Sequence, residues 1–163
     1  MAKNIILFRH AEALEPNIAI KDFDRPLTPQ GAQDASRMGK TLRETQVKID
    51  AFYSSSALRA TETAERVAEQ LPYDVNDIFF EEDIYNISLG KLLMFIQNLD
   101  SDLETVLILG HNPTITYFTE YITGEGNLHF SPANAALISF DIANWKEADK
   151  GKGKLEWVKK PIH

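Results

Sequence analysis

Two short apolar runs each end in a histidine. Asn4-Ile5-Ile6-Leu7-Phe8 is followed by Arg9-His10, and Leu107-Ile108-Leu109-Gly110 runs into His111-Asn112-Pro113. Runs of this length read as buried strands, and in an open α/β sheet the carboxyl ends of the strands form the ligand crevice. Two strands that end in imidazoles therefore aim both rings at one place. Arg9 adds an anion preference, because a guanidinium fork matches phosphate oxygens bidentately. An imidazole beside it supplies a lone pair for attack on phosphorus.

The intervening pattern supports a sheet of this kind. After a first strand over about 4–9 and a loop to residue 27, Thr28 can cap a helix with Pro29 at its first position, and Ala32, Ala35, Met38 and Leu42 share a face. Residues 49–53 read as a second strand, followed by a helix carrying Leu58, Ala64, Val67, Ala68 and Leu71 toward the core. A short third strand at 78–80, a helix capped by Ser88, a fourth strand at 105–109 and a helix from Asn112-Pro113 to about Gly124 complete the alternation. Ala135–Ile142 and Lys154–Val158 then read as two strands joined by a Lys/Gly turn. Strands separated by helices pair in parallel, and two joined without one form a hairpin. The expected fold is a three-layer α/β sandwich with a mostly parallel sheet and an antiparallel edge hairpin at the C-terminus, built as a single domain over residues 1–163.

Composition narrows the chemistry. The chain has no cysteine, which removes disulfides, thiolate catalysis and cysteine-ligated zinc and leaves histidine and carboxylates as the reactive groups. A net charge of -7 argues against general nucleic-acid binding, which needs a basic face. The late cluster Lys150, Lys152, Lys154, Lys159 and Lys160 reads as a solvated turn and edge strand. No apolar run approaches the roughly 18 residues of a membrane span, and the start lacks a basic leader and cleavage signal, so a cytoplasmic protein is expected. His129 and His163 lack the spacing of zinc ligands and are expected at the surface. Glu12 and Glu15 read as loop residues, and the long loop over 11–27 is expected to line the pocket mouth.

Three motifs carry the chemistry. Beyond Arg9-His10 and Gly110-His111-Asn112-Pro113, the run Ser54-Ser55-Ser56-Ala57-Leu58-Arg59-Ala60-Thr61-Glu62-Thr63-Ala64 places Arg59 in the first turn of a helix. A cation there opposes the helix dipole unless an anion binds, and the alternative is an ion pair with Glu62 or Glu65. Together these motifs resemble the histidine phosphatase superfamily, the phosphoglycerate mutase-like group. Arg25-Pro26-Leu27-Thr28-Pro29-Gln30-Gly31 is similar to an element of its small SixA-type phosphohistidine phosphatases. The resemblance spans about residues 4–142. It implies that His10 is the nucleophile, that Arg9, Arg59 and His111 hold the phosphate, that Arg25 lies near the rim, and that no metal or other cofactor is needed. Ala11 stands where many members have glycine. The proton donor is expected among Glu81-Glu82-Asp83; Asp83 is preferred because Asp83-Ile84-Tyr85 matches Glu-Leu-Tyr of small relatives, with Glu82 as the alternative.

The resemblance implies a phosphatase working through a covalent phosphohistidine, with a phosphorylated protein such as a histidine-containing phosphocarrier domain as substrate; charge and hydropathy lead to the expectation of no nucleic-acid or membrane partner. Two alternatives stand beside it: a small-molecule phosphomonoesterase or phosphoglycerate mutase-like enzyme acting on a small phosphate ester, and a phosphate-dependent binding module without turnover.

Overall fold

A computed structural model describes residues 2–162. Six strands form one sheet: β1 (Ala2–Arg9), β2 (Ala51–Ser55), β3 (Phe79–Glu81), β4 (Thr105–Gly110), β5 (Ala135–Asp141) and β6 (Gly153–Lys159). Four helices cover it: α1 (Pro29–Glu44), α2 (Leu58–Gln70), α3 (Leu89–Gln97) and α4 (Thr114–Thr123). The strand order is β3-β2-β4-β1-β5-β6. The first four strands in the chain are mutually parallel where they pair; β5 runs antiparallel to β1, and β5 and β6 form the expected edge hairpin.

Side chains alternate across β1 and β4, and this alternation builds the two cores. Ile6, Phe8, Leu107 and Leu109 pack with Met38, Leu42, Ala60, Ala64 and Val67 of α1 and α2. Ile5, Leu7, Val106 and Ile108 pack with Leu92, Ile96, Ile115, Phe118 and Ile122 of α3 and α4. Each such aliphatic or aromatic side chain contributes roughly 1.5–3 kcal/mol on burial, so the central pair β1/β4 is the most strongly held part of the sheet. The helix signals are realised locally: the Thr28 hydroxyl accepts from the Gly31 N–H, the Ser88 hydroxyl accepts from the Lys91 N–H, and Gly124 ends α4 at φ +78°.

Three details depart from the sequence pattern. The second strand runs two residues later than expected, because Ser54 and Ser55 stay in the ladder opposite β4 and β3 and spend their hydroxyls on the backbone. Leu58, expected in the core, opens α2 with its side chain 38% exposed. The connection from β5 to β6 is no simple Lys/Gly turn: Asn144 caps a 3-10 turn (Trp145–Glu147) that drives Trp145 into the core, where its indole N–H donates to the Leu103 carbonyl at 2.9 Å. Lys150, Lys152, Lys154 and Lys160 are exposed in that connection and along β6, and Lys159 lies over Trp157. Among the described residues no helix is long and apolar enough to cross a membrane.

Candidate active site

The sheet register brings the histidines together. Arg9 is the partner of Gly110 in the β1/β4 ladder, so His10 and His111 each lie one residue past the last paired position. Their ring centroids are 5.0 Å apart. Ser54 pairs with Leu109 on the other side of β4, which brings the next residue, Ser55, to His111; its hydroxyl lies 2.8 Å from His111 Nε2. Gly110 does not serve a close backbone approach, since an added Cβ would meet nothing nearer than an Ile84 methyl at 3.4 Å.

His10 is 8% exposed. Its Nδ1 lies 2.8 Å from the Ala11 carbonyl, which can only accept, so Nδ1 carries the proton and Nε2 keeps the lone pair. That lone pair faces Arg59, whose Nε–H donates to it across 3.3 Å. Burial, then the charges of Arg59, Arg9 and Arg25, lower the His10 pKa to about 4, against the hydrogen bond to Ala11. Burial and the neighbouring His10 and Arg59 lower that of His111 to about 3. Both rings are therefore neutral near pH 7.

Arg9 donates through Nη1 to the Phe130 carbonyl at 2.8 Å, and the Asn112 amide reaches the same carbonyl at 3.1 Å. The segment that supplies it wraps around the end of β1: the Ala133 N–H reaches the carbonyls of both Arg9 and His10, and the Arg9 N–H reaches the Asn134 carbonyl. Ala133 holds φ +66°, a left-handed conformation uncommon outside glycine. Two buried nitrogens, Arg9 Nε and His111 Nδ1, have no hydrogen-bond partner.

A cavity of about 300 Å³ opens beside these groups, lined by Arg59, His111, Asn112, Ile84, Tyr85 and Asp22 among others. Asp22 comes from a 3-10 turn (Asp22–Asp24) in the 11–27 loop. Arg59 donates from Nη1 to the Asp22 carbonyl at 2.7 Å and from Nη2 to its carboxylate at 3.1 Å; Arg25 Nε reaches the other carboxylate oxygen at 3.0 Å, and the Tyr85 hydroxyl donates to the carboxylate as well. The Tyr85 bond, then Arg59 and Arg25, lower the Asp22 pKa to about 2 in spite of partial burial. Arg59 thus pairs with Asp22, while Glu62, one of the two ion-pair partners considered from sequence, accepts from the Leu27 N–H.

A family model for the histidine phosphatase superfamily, branch 1, matches residues 5–94. The chain belongs to this superfamily. Its SixA-type likeness runs nearly end to end. Phosphohistidine phosphatase SixA of Escherichia coli (strain K12) is 26% identical over 161 residues, 98% of this chain and 94% of its own. A chloroplastic protein of Arabidopsis thaliana with no assigned function is 26% identical over 165 residues, 96% of this chain and 75% of its own. The structure of the protein histidine phosphatase SixA complexed with tungstate superimposes with a TM-score of 0.83 at 24% identity, covering 97% of each chain.

Of the residues singled out in this histidine phosphatase from sequence, His10, Arg59 and His111 meet directly, and Arg9 joins them from the end of β1. Arg25 braces the loop, with Nη1 on the Leu14 carbonyl and Nε on Asp22. Asp83 is exposed in a 3-10 turn (Glu82–Ile84) and is not among the residues lining the cavity, where Ile84 and Tyr85 follow it; Glu82 is exposed too. His129 is exposed, and His163 lies outside the described residues. Sequence reasoning missed Asp22, Tyr85, Ser55 and the Phe130–Asn134 wrap. The aromatic of Asp83-Ile84-Tyr85 carried a signal for Tyr85, and the length of the 11–27 loop carried one for Asp22. Among the described residues, no group of three or more His, Asp or Glu side chains could hold a metal ion.

Proposed function

We propose that this chain is a phosphatase that takes the phosphoryl group from a phosphorylated protein histidine onto His10 and then passes it to water. The observation that carries the reading is the state of His10: its proton is fixed on Nδ1 by the Ala11 carbonyl, and the free Nε2 lone pair faces the guanidinium that would bind the phosphate. An imidazole in this state needs no base to activate it.

When phosphate enters, the Arg59 Nε–H moves from His10 to a phosphoryl oxygen, which frees the lone pair at the moment a target is in place. Arg9, held through Nη1 on the Phe130 carbonyl, adds its positive charge beside His10. Ser55 already accepts the Ala57 N–H, so its own proton can go to His111 Nε2, which holds the neutral His111 ring in place beside His10. His10 Nε2 forms the new P–N bond while the bond to the leaving group breaks and its electron pair departs with that group. Water attacks the phosphohistidine in a second in-line step; the P–N pair returns to Nε2, and the water's oxygen and both its protons leave as dihydrogen phosphate. Each role falls to a side chain of this chain. Arg25 acts through the loop it braces, and the whole of residues 1–163 serves as one domain. The name of the Escherichia coli relative, a phosphohistidine phosphatase, favours a phosphohistidine substrate over a phosphoglycerate.

The test is a rapid-quench experiment with a phosphorylated histidine-containing carrier domain, beside a panel of sugar phosphates and phosphoglycerates. A phosphoenzyme stable to base and labile to acid should accumulate and be lost in His10→Ala together with all turnover. Turnover retained by His10→Ala overturns the proposal; a preference for the small esters would reassign the substrate.

A further inference from the structure

We infer that Asp22 makes the site selective for leaving groups that carry a proton-bearing nitrogen, by accepting a hydrogen bond from the far N–H of a phosphorylated imidazole. The inference deepens the phosphohistidine reading and rests on it.

His10 is buried behind Arg59 and His111 of the cavity lining, whereas Asp22 stands at the surface: the histidine is 8% exposed, and the Asp22 side chain keeps 49% of its accessible surface. In-line transfer to a buried nucleophile forces the leaving group to point outward, past the residues that line the mouth. The carboxylate among them is that of Asp22, lining the same cavity as Arg59 and His111. A carboxylate offers about four acceptor positions. Arg59 Nη2 and the Tyr85 hydroxyl take two of them on one oxygen and Arg25 Nε takes one on the other, so the second oxygen has room for a further donor. Its position is fixed by the loop, which is pinned by Arg25 to the Leu14 carbonyl, by the Thr28 N–H to the Glu12 carbonyl and by the Leu27 N–H to Glu62.

An ionised carboxylate beside two arginines cannot donate a proton to a departing alkoxide, and its charge opposes the negative charge that builds on an ester oxygen. A phosphorylated imidazole protonated on its far nitrogen presents the opposite case. The P–N bond breaks with its electron pair going to the near nitrogen, the far N–H stays on the ring and against Asp22, and neutral imidazole leaves. No proton moves during the step. The hydrogen bonds that hold Asp22 ionised, with a pKa of about 2, are the same ones that orient it.

The experiment compares kcat/KM on phosphoimidazole and on an alkyl phosphate for wild type, Asp22→Asn and Asp22→Glu. The wild type should favour phosphoimidazole, and Asp22→Asn should cut that preference roughly ten- to hundredfold, the loss of one hydrogen bond to a charged group, with Asp22→Glu restoring part of it. An unchanged ratio, with both substrates losing equally, would mean that Asp22 only positions Arg59, and a ratio that rises would make it the acid; either overturns the inference while leaving the His10 chemistry standing. A wild type that forms no phosphoenzyme from phosphoimidazole fails at the earlier step and overturns both.

Discussion

Arg59 Nε and His10 Nε2 face each other across 3.3 Å, so the guanidinium covers the lone pair that the proposed mechanism assigns to attack on phosphorus. The two remaining guanidinium nitrogens stay on Asp22. An incoming oxyanion therefore has to displace a single weak bond. Arg59→Ala should weaken vanadate binding by about 1.5–3 kcal/mol, the worth of hydrogen bonds to a charged group. Isothermal titration would check it; undiminished affinity alongside a lowered Tm would reduce Arg59 to a structural tie for the loop.

Asp83→Asn should leave kcat/KM within about twofold of wild type on alkyl phosphates, as expected of an exposed substitution outside the cavity. A selective loss on poor leaving groups would show that the Glu82–Ile84 turn swings inward on substrate binding.

The histidine pair sets a pH dependence. The ordinary imidazole pKa of 6.5 falls to about 4 for His10 and about 3 for His111. Between each native value and 6.5 the unfolded chain binds protons that the native one excludes, so stability is complete above about 6.5 and is lost as pH falls toward 4 and then 3. Nitrogen-15 spectra should show both rings neutral at pH 5.5, and replacing both with glutamine should flatten the acid side of the stability curve. A ring titrating near 6.5 would contradict the burial that lowers it.

Thr63 ties the loop after His10 to the Arg59 helix. Its buried hydroxyl accepts the Ala11 N–H at 3.0 Å and donates to the Arg59 carbonyl at 2.7 Å. Thr63→Val keeps the shape and strands the Ala11 N–H, which should cost about 1–3 kcal/mol in urea unfolding. Because Ala11 also holds the His10 tautomer, kcat should fall with KM little changed; intact kcat would show that the tautomer survives without the tie.

Gly31 sits where an added Cβ would stand 2.1 Å from the Glu12 carbonyl, with the Thr28 cap beside it. Gly31→Ala must push α1 away from the loop, at roughly 1–3 kcal/mol for overpacking. A Tm equal to wild type would mean that the loop yields freely.

The parts of this molecule legible in the sequence are those governed by local rules. Strand and helix periods, the Thr28 and Ser88 caps, and the delivery of His10 and His111 by two strands all follow from residues near one another in the chain. Asp22 was not legible, because an aspartate in a loop of mixed polarity carries no mark of its partner; only the return of that loop over α2 reveals that it, and not Glu62 or Glu65, meets Arg59. Asp83 was favoured on alignment with Tyr85, and the chain turns there so that the tyrosine faces the cavity and the aspartate faces solvent. Ser54 and Ser55 fell outside the expected strand of 49–53, because short hydroxyl side chains compete with ladders, a preference that β3 and β4 override by pairing on both sides.

The pairing of β1 with β4 joins residues about a hundred positions apart, with Asn4 opposite Thr105, and it is this pairing that sets His10 beside His111. The proposed oxyanion site does not exist in any fragment of the chain that has yet to close that long loop. Binding energy from an anion then enters late on the folding route, after the slow non-local step, and should lengthen the lifetime of the native state while leaving the rate of reaching it nearly untouched.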